Sequence, residues 1–514
     1  MPAEFDPDPP GGGSLPREGL RDAAVTGVRW VVVARVCSEV LGFAASVVLA
    51  HLVAPAEFGS AVVAMVLPML SVILTFEGFG TVLVQRDRLD REQAQTANWL
   101  SLASGLLLAV GVWATAPLWA EPLFGSRTAE LVRLAAPVFT IAGIGVVPRA
   151  YLQRRLDFRR LSTFEVIAFT VGSVVSVGCA AAGLDAKALI LGMLAMTATE
   201  AALLFAAAPA PRPRLVPGCA REIVAFGVPA SLAGLAYVAR RNVDYVILAA
   251  KLPAALVGFY WRAFQLGAEY QGKLSGVVFR LVFPLFSRAR DTADLRLLRS
   301  RVVRTNVTLI FPLLAAFVVV APTLIPWLYG ARWEPVVEPA QILALSGMAL
   351  AVLSGTEPLM LAVGRPRALL GFNGAFLAAT GSAAFLAAPH GLSAVAFAVS
   401  GVHLGMVALA QVLLVGRVVG IPVRELVADV LPATVASAGS LAAGIVVAPW
   451  IEGFGGPLAE VALLAAICLG TYTVLLRALF DSTWDELART FSRVIGRAAP
   501  RRSPIVPSQS GARP

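Results

Sequence analysis

From about residue 28 to about residue 480 the chain is a succession of apolar runs, each roughly 20 residues or longer, separated by short polar turns. A run of that length crosses a hydrocarbon core of about 30 Å as a helix. Inside lipid every backbone N–H and C=O needs a partner, and a helix supplies one within its own segment. The pattern therefore points to an all-α polytopic membrane protein with about 14 transmembrane helices. They are expected near 28–52, 58–84, 96–118, 128–148, 161–183, 188–208, 222–250, 256–287, 305–328, 338–363, 368–387, 391–415, 428–449 and 457–480. Composition agrees: 58% of residues are hydrophobic and 14% charged, against about 45–50% and about 25% in soluble domains.

Basic residues indicate how the chain threads. With the N-terminus in the cytoplasm, segments on that side collect about 30 of the 42 Lys and Arg residues. They include Arg86, Arg88 and Arg91, then Arg149, Arg154, Arg155, Arg159 and Arg160, and the run from Arg288 to Arg304. Loops on the other side carry four, namely Arg127, Lys187, Lys251 and Arg332. A miscounted span would scramble this alternation. An even span number and two cytoplasmic termini are expected. The formal charge of +10 then faces anionic inner-leaflet lipids, and no nucleic-acid partner is expected.

Other classes of function find little support. Cys37, Cys179, Cys219 and Cys468 lack metal-site spacing and are read as free thiols, three in spans and Cys219 in a cytoplasmic loop. The three histidines are scattered, and Walker A, GxSxG and HExxH patterns are absent. Neither cofactor nor metal is expected. The outer loops are too short to fold as a domain, which argues against an enzyme that polymerises or transfers lipid-linked sugars outside the membrane. Residues 1–27 read as a polar, disordered cytoplasmic tail without the marks of a signal peptide. Beyond 480, Trp484, Leu487, Phe491, Val494 and Ile495 recur at helical spacing among Arg489, Arg493 and Arg497. This predicts an amphipathic helix on the inner leaflet, followed by a disordered end.

Charge inside the spans marks the candidate site. The eighth, Leu256 to Ser287, carries Arg262, Glu269, Lys273 and Arg280 at spacings of 7, 4 and 7. At about 100° per residue all four lie within roughly 20° of one line, over about 27 Å of helix. Lipid cannot solvate such a face, so it must look into protein or a watery cavity. Arg29, Arg35, Glu39, Glu77, Glu165, Glu200, Arg240, Arg241, Asp244 and Glu357 add charge to other spans. Arg35 with Glu39, Arg240 with Asp244, and Glu269 with Lys273 have the i,i+4 spacing of ion pairs within one helix, structural or coupling in role. Arg241, Arg262 and Arg280 are left without a local partner. Arg262, Arg241, Arg35, Lys273 and Arg280 form the candidate substrate-binding set, because cations suit phosphate and carboxylate oxygens and the guanidinium fork of arginine binds them two-pronged. Surplus arginine predicts a cationic lumen and an anionic substrate.

A weak repeat is also present. Leu49-Ala50, Gly59 and Ala64 fall on Leu248-Ala249, Gly258 and Ala263 at an offset of 199. Duplicated halves with a site between them are common in secondary transporters.

Several stretches carry a resemblance. Leu49-Ala50-His51-Leu52-Val53-Ala54-Pro55-Ala56-Glu57-Phe58-Gly59 resembles the "LARLLSPEDFG" turn of bacterial polysaccharide exporters, with His51 where arginine is usual. Thr75-Phe76-Glu77-Gly78-Phe79-Gly80 and Val84-Gln85-Arg86 resemble the next landmark. Residues Leu152 to Arg160 resemble the cytoplasmic "LQRxLDFRR" loop. Arg241-Asn242-Val243-Asp244, Gly258 to Ala263, and Phe283-Pro284-Leu285-Phe286-Ser287-Arg288 resemble the "NxD", "GxYxxA" and "FPxFSR" landmarks of the second half. The chain is similar to the Wzx-type oligosaccharide flippases, especially the WzxC-like branch, in the MOP superfamily with MATE exporters and MurJ. The resemblance implies two six-helix bundles in a V, residues 28–208 and 222–415, joined by a linker at 209–221, with two extra helices in 428–480. It implies alternating-access transport of a polyprenyl-diphosphate-linked glycan, and polysaccharide-assembly proteins as further partners. Rival readings are a MATE-like exporter of small cations, a membrane glycosyltransferase or polymerase, and a scaffold without transport.

Overall fold

The computed structural model describes residues 17–86, 88–273, 275 and 292–486. Among the described residues the ordered elements are all helical. They are α1 (Arg17–Leu52), α2 (Pro55–Gln85), α3 (Arg91–Phe124), α4 (Ser126–Arg154), α5 (Phe158–Ala181), α6 (Ala186–Ala207) and α7 (Pro217–Lys251). Next come α8 (Ala254–Phe264, running on into a π turn at Gln265–Glu269) and α9 (Thr292–Tyr329). The series ends with α10 (Ala331–Ala362), α11 (Pro366–His390), α12 (Leu392–Val419), α13 (Val423–Ile451) and α14 (Pro457–Leu479). All but α8 are long and apolar enough to cross a membrane, giving 13 spans among the described residues. Residues 276–291 of the expected eighth span, with Arg280, lie outside the described residues, as do residues 1–16 and those from 487 on.

Local chemistry sets the helix ends. Pro55, Pro217, Pro366 and Pro457 stand in the first turn of α2, α7, α11 and α14. There the missing N–H costs nothing and the fixed φ suits the helix. Gly125 joins α3 to α4 at φ 88°, and Gly330 joins α9 to α10 at φ 92°. A one-residue joint in that conformation excludes most side chains. The two joints occupy matching places in the two halves.

Two boundaries differ from expectation. Helix α1 begins at Arg17 and takes in residues 17–27, which polar composition had assigned to the tail. Cys219 lies in the first turn of α7, not in a loop, because Pro217 starts the helix earlier than hydropathy does.

The first six helices pack together, most extensively α5 on α6, α1 on α5 and α3 on α4. In the second group α7 packs on α11, α8 and α9 on α10, and α10 and α11 on α12. Helices α13 and α14 pack on each other and on α9. The groups meet chiefly where α2 touches α7 and α8, and where α3 touches α7.

Glycine makes those crossings close. A Cβ on Gly59 would come within 1.7 Å of the Ala254 carbonyl oxygen, and one on Gly258 within 2.1 Å of the Pro55 oxygen. Farther along α2, a Cβ on Gly227 of α7 would meet the Gly78 oxygen at 1.7 Å. Small residues let helix backbones approach and gain packing contact, the main attraction between helices in lipid. The repeat visible in the sequence therefore forms the seam itself, with Gly59 against its counterpart Gly258.

Candidate functional site: a charged cavity between the halves

A cavity of about 570 Å³ lies between the halves, with walls from α1, α2, α5, α6 and α8. Arg35, Glu39 and Glu165 reach it from the first half, and Arg262, Glu269 and Lys273 from the second. Three cations thus meet three carboxylates. Arg241, on the Glu269 carboxylate, adds a fourth cation at 2.8 Å. Strong cationic surplus was expected, and the described residues do not give it, because the acids of α1, α5 and α8 face the same space.

The pairing also differs from the i,i+4 expectation. Arg35 does bind Glu39, at 2.9 Å. Glu269 and Lys273, however, separate. Glu269 takes Arg241 of α7, and Lys273 takes Glu39 of α1 at 2.7 Å. Arg35, Glu39 and Lys273 thus form one row, with a bond that crosses from the second half to the first. Lys273 also lies over the Tyr270 ring, 4.6 Å from its centre. The π turn at Gln265–Glu269 contributes to this change. It shifts the register of α8 between Arg262 and Lys273, so the straight charge line drawn for an unbroken helix does not hold.

Arg240 and Asp244 do not pair either. Asp244 is buried and accepts from the Tyr260 hydroxyl and the Tyr245 N–H, both at 3.0 Å. Arg240 turns toward α11, with its guanidinium 5.1 Å from the Phe376 ring centre and 5.5 Å from that of Tyr237. A phenol satisfies the buried acid and an aromatic face receives the cation.

Arg262, the leading candidate from sequence, has no exposed surface. Its guanidinium sits among four rings: Tyr329 at 4.8 Å, Trp261 at 5.0 Å, and Phe58 and Trp333 at 5.4 Å. One nitrogen donates to Gln265 at 2.8 Å, while Nε and the other terminal nitrogen have no partner. Stacking on aromatic faces is a capacity of guanidinium that ammonium lacks. Phe58 comes from the first half and the other three rings from α8, α9 and α10, so the cage spans the seam. Beside it, Arg332 and the Trp333 indole N–H, the latter at 2.9 Å, both donate to the Ala50 carbonyl at the end of α1.

Sequence reasoning missed Gln265, Tyr329, Trp333 and the Ala50 carbonyl. Trp261 beside Arg262, and the Trp327-Leu328-Tyr329 run before Gly330, were the available signals. Glu200, left unpaired by the sequence, binds Arg149 of α4 in a separate pocket of the first half. Arg280, and the side chains of Arg29 and Glu77, lie outside what the structure describes.

Geometry of this kind defines a class: a multi-pass helical protein built as two packed helix groups around an intramembrane polar cavity. Solved structures share the fold. "Lipid II flippase MurJ, inward closed conformation" aligns with a TM-score of 0.69 at 11% identity, covering 88% of this chain and 99% of that one. An inward-facing multidrug resistance MATE family transporter of the MOP superfamily aligns with a TM-score of 0.59 at 14% identity, over 75% and 96% of the two chains. In sequence, residues 48–338 match the family model described as "Polysaccharide biosynthesis protein". This chain belongs to that family. Among its relatives, "Lipopolysaccharide biosynthesis protein WzxC" of Escherichia coli (strain K12) is 25% identical over 358 residues, 69% of this chain and 73% of its own. "Teichuronic acid biosynthesis protein TuaB" of Bacillus subtilis (strain 168) is 24% identical over 352 residues, 66% and 71% of the two chains. "Succinoglycan biosynthesis transport protein ExoT" of Rhizobium meliloti (strain 1021) is 24% identical over 344 residues, 66% and 69%. The resemblance to Wzx-type exporters is thus upheld by family and fold together.

Proposed function

We propose that this protein carries a polyprenyl-diphosphate-linked oligosaccharide, or a related anionic glycolipid, across the bacterial cytoplasmic membrane. It does so by alternating access, without catalysis, in the building of cell-surface polysaccharide. The observation that carries this reading is the Lys273–Glu39 bond. It joins the two halves inside the cavity, and it holds a cation that an incoming diphosphate can claim. A phosphate that replaced Glu39 on Lys273 would remove the tie between α1 and α8 as it bound. Arg35, Arg241 and Arg262 line or support the same space, and the prenyl chain stays in lipid. Both termini lie in the cytoplasm in this reading, so the Gly59–Gly258 contact and the Arg262 cage close the outer side. A ligand can shift such a protein between states only by binding one better than the other, and this exchange of partners supplies that difference.

The test uses purified protein in vesicles loaded with a fluorescent polyprenyl-diphosphate-linked oligosaccharide. A membrane-impermeant quencher reports how fast label reaches the far leaflet. Faster arrival than in protein-free vesicles is expected. Arrival no faster than in empty vesicles, with efflux of small organic cations instead, would establish the MATE-like reading and reject this one.

A further inference from the structure

We propose that the groove between the Gly125 ends of α3, α4 and α6 binds the headgroup of an aminophospholipid, with Arg133 taking the phosphate and Glu121 the ammonium. The groove measures about 520 Å³ and is separate from the central cavity. Trp113, Pro117 and Glu121 of α3 form one wall, Glu130 and Arg133 of α4 another, and Lys187 of α6 a third.

The charges there divide into two sets. Glu130 is neutralised by Lys187 at 2.6 Å and Arg127 at 2.9 Å, and Arg127 also holds Glu57 at 2.8 Å. That set is closed on itself. Arg133 and Glu121 are different. Among the described residues neither has an ion-pair partner, and although both line the groove they do not pair with each other. The Arg133 guanidinium lies over the Trp113 ring, 4.4 Å from its centre, and its buried Nε has no hydrogen-bond partner. One free cation and one free anion facing a common space complement a zwitterion.

Position selects a lipid. At 34 residues α3 is about 51 Å long, well beyond a hydrocarbon core of about 30 Å. Its last turns, with Glu121, therefore stand at headgroup depth. Leu118 and Leu123 next to them are 77% and 53% exposed, an apolar flank along which acyl chains can lie. The charge balance narrows the headgroup. An anionic lipid would satisfy Arg133 and be repelled by Glu121. A choline headgroup has no N–H to donate to a carboxylate. A primary ammonium beside a phosphodiester meets both groups with charge-assisted hydrogen bonds.

The site does not depend on the transport reading, and its test has no transport readout. The purified full-length protein is titrated with phosphatidylethanolamine, phosphatidylcholine and phosphatidylglycerol of identical chains, and bound lipid is counted by native mass spectrometry. Phosphatidylethanolamine is expected to be retained best. Glu121→Gln should weaken its retention about tenfold, equivalent to about 1.4 kcal/mol, and bring it level with phosphatidylcholine. Arg133→Gln should weaken both lipids. Thermal unfolding in detergent checks that each variant folds, and Glu121, being exposed, decides the matter if Arg133→Gln does not. Equal retention of phosphatidylethanolamine and phosphatidylcholine by the parent protein overturns the proposal; so does a preference that survives Glu121→Gln. A groove built for a sugar gives the first of these results.

Discussion

Gly59 and Gly258 pack backbone against backbone, with no room for a side chain on either. A Cβ on Gly59 would lie 2.9 Å from the Gly258 nitrogen, and one on Gly258 would lie 3.1 Å from the Gly59 nitrogen. Backbone on both sides leaves nothing that can swing away. The closed seam between α2 and α8 therefore depends on the absence of two methyl groups.

Gly258→Ala should force the seam apart at that end, at a cost of about 1–3 kcal/mol to the closed state. Hydrogen exchange should rise in peptides covering residues 50–60 and 252–262 and stay level in α5. Unchanged exchange in both peptides would show that the seam accommodates the methyl group and would refute the close-approach argument.

The charge row makes a second prediction. In thermal-unfolding cycles, Glu39→Gln with Lys273→Met should show coupling of about 1 kcal/mol, as for a half-buried pair. Glu269→Gln with Lys273→Met should couple clearly less than that pair, because Glu269 bonds to Arg241 and Lys273 to Glu39. Strong coupling between Glu269 and Lys273 would restore the intrahelical pair that the sequence suggested.

Arg262 separates charge from packing. Arg262→Ala should empty the four-ring cage, destabilise the protein by about 2–4 kcal/mol, and abolish complementation of a flippase-null strain. Arg262→Met keeps bulk and removes a buried cation, so stability should hold within about 1.5 kcal/mol while transport fails. Arg262→Lys should be partly active, since it keeps charge and loses the flat stacking surface. Full transport by the Met variant would reduce Arg262 to packing.

The orientation is tested in a variant without the four native cysteines. Cysteines placed singly at Ser126 and Arg155 are exposed to an impermeant thiol reagent in whole cells. Position 126 should react and position 155 should not. The reverse pattern would invert the membrane topology and place the Gly59 seam on the cytoplasmic side.

Hydropathy and turn chemistry alone determined the helical class, the order of the spans and nearly all their positions, because lipid leaves a spanning chain few other ways to satisfy its backbone. The motif runs around Gly59, Arg154 and Gly258 identified the family, and the 199-residue offset marked the duplicated halves. What each charge binds was decided only by tertiary structure. Spacing of i,i+4 brings Glu269 and Lys273 near each other on an ideal helix. It says nothing of Arg241 and Glu39 arriving from α7 and α1 to compete for them. It also assumes unbroken register, which the π turn of α8 removes where Gly267 packs within reach of the Ala340 carbonyl oxygen of α10. Arg262 followed the same rule: its sequence marked it as an unpaired cation in a membrane span, and only the convergence of Phe58, Tyr329 and Trp333 from three other helices gave that charge its place.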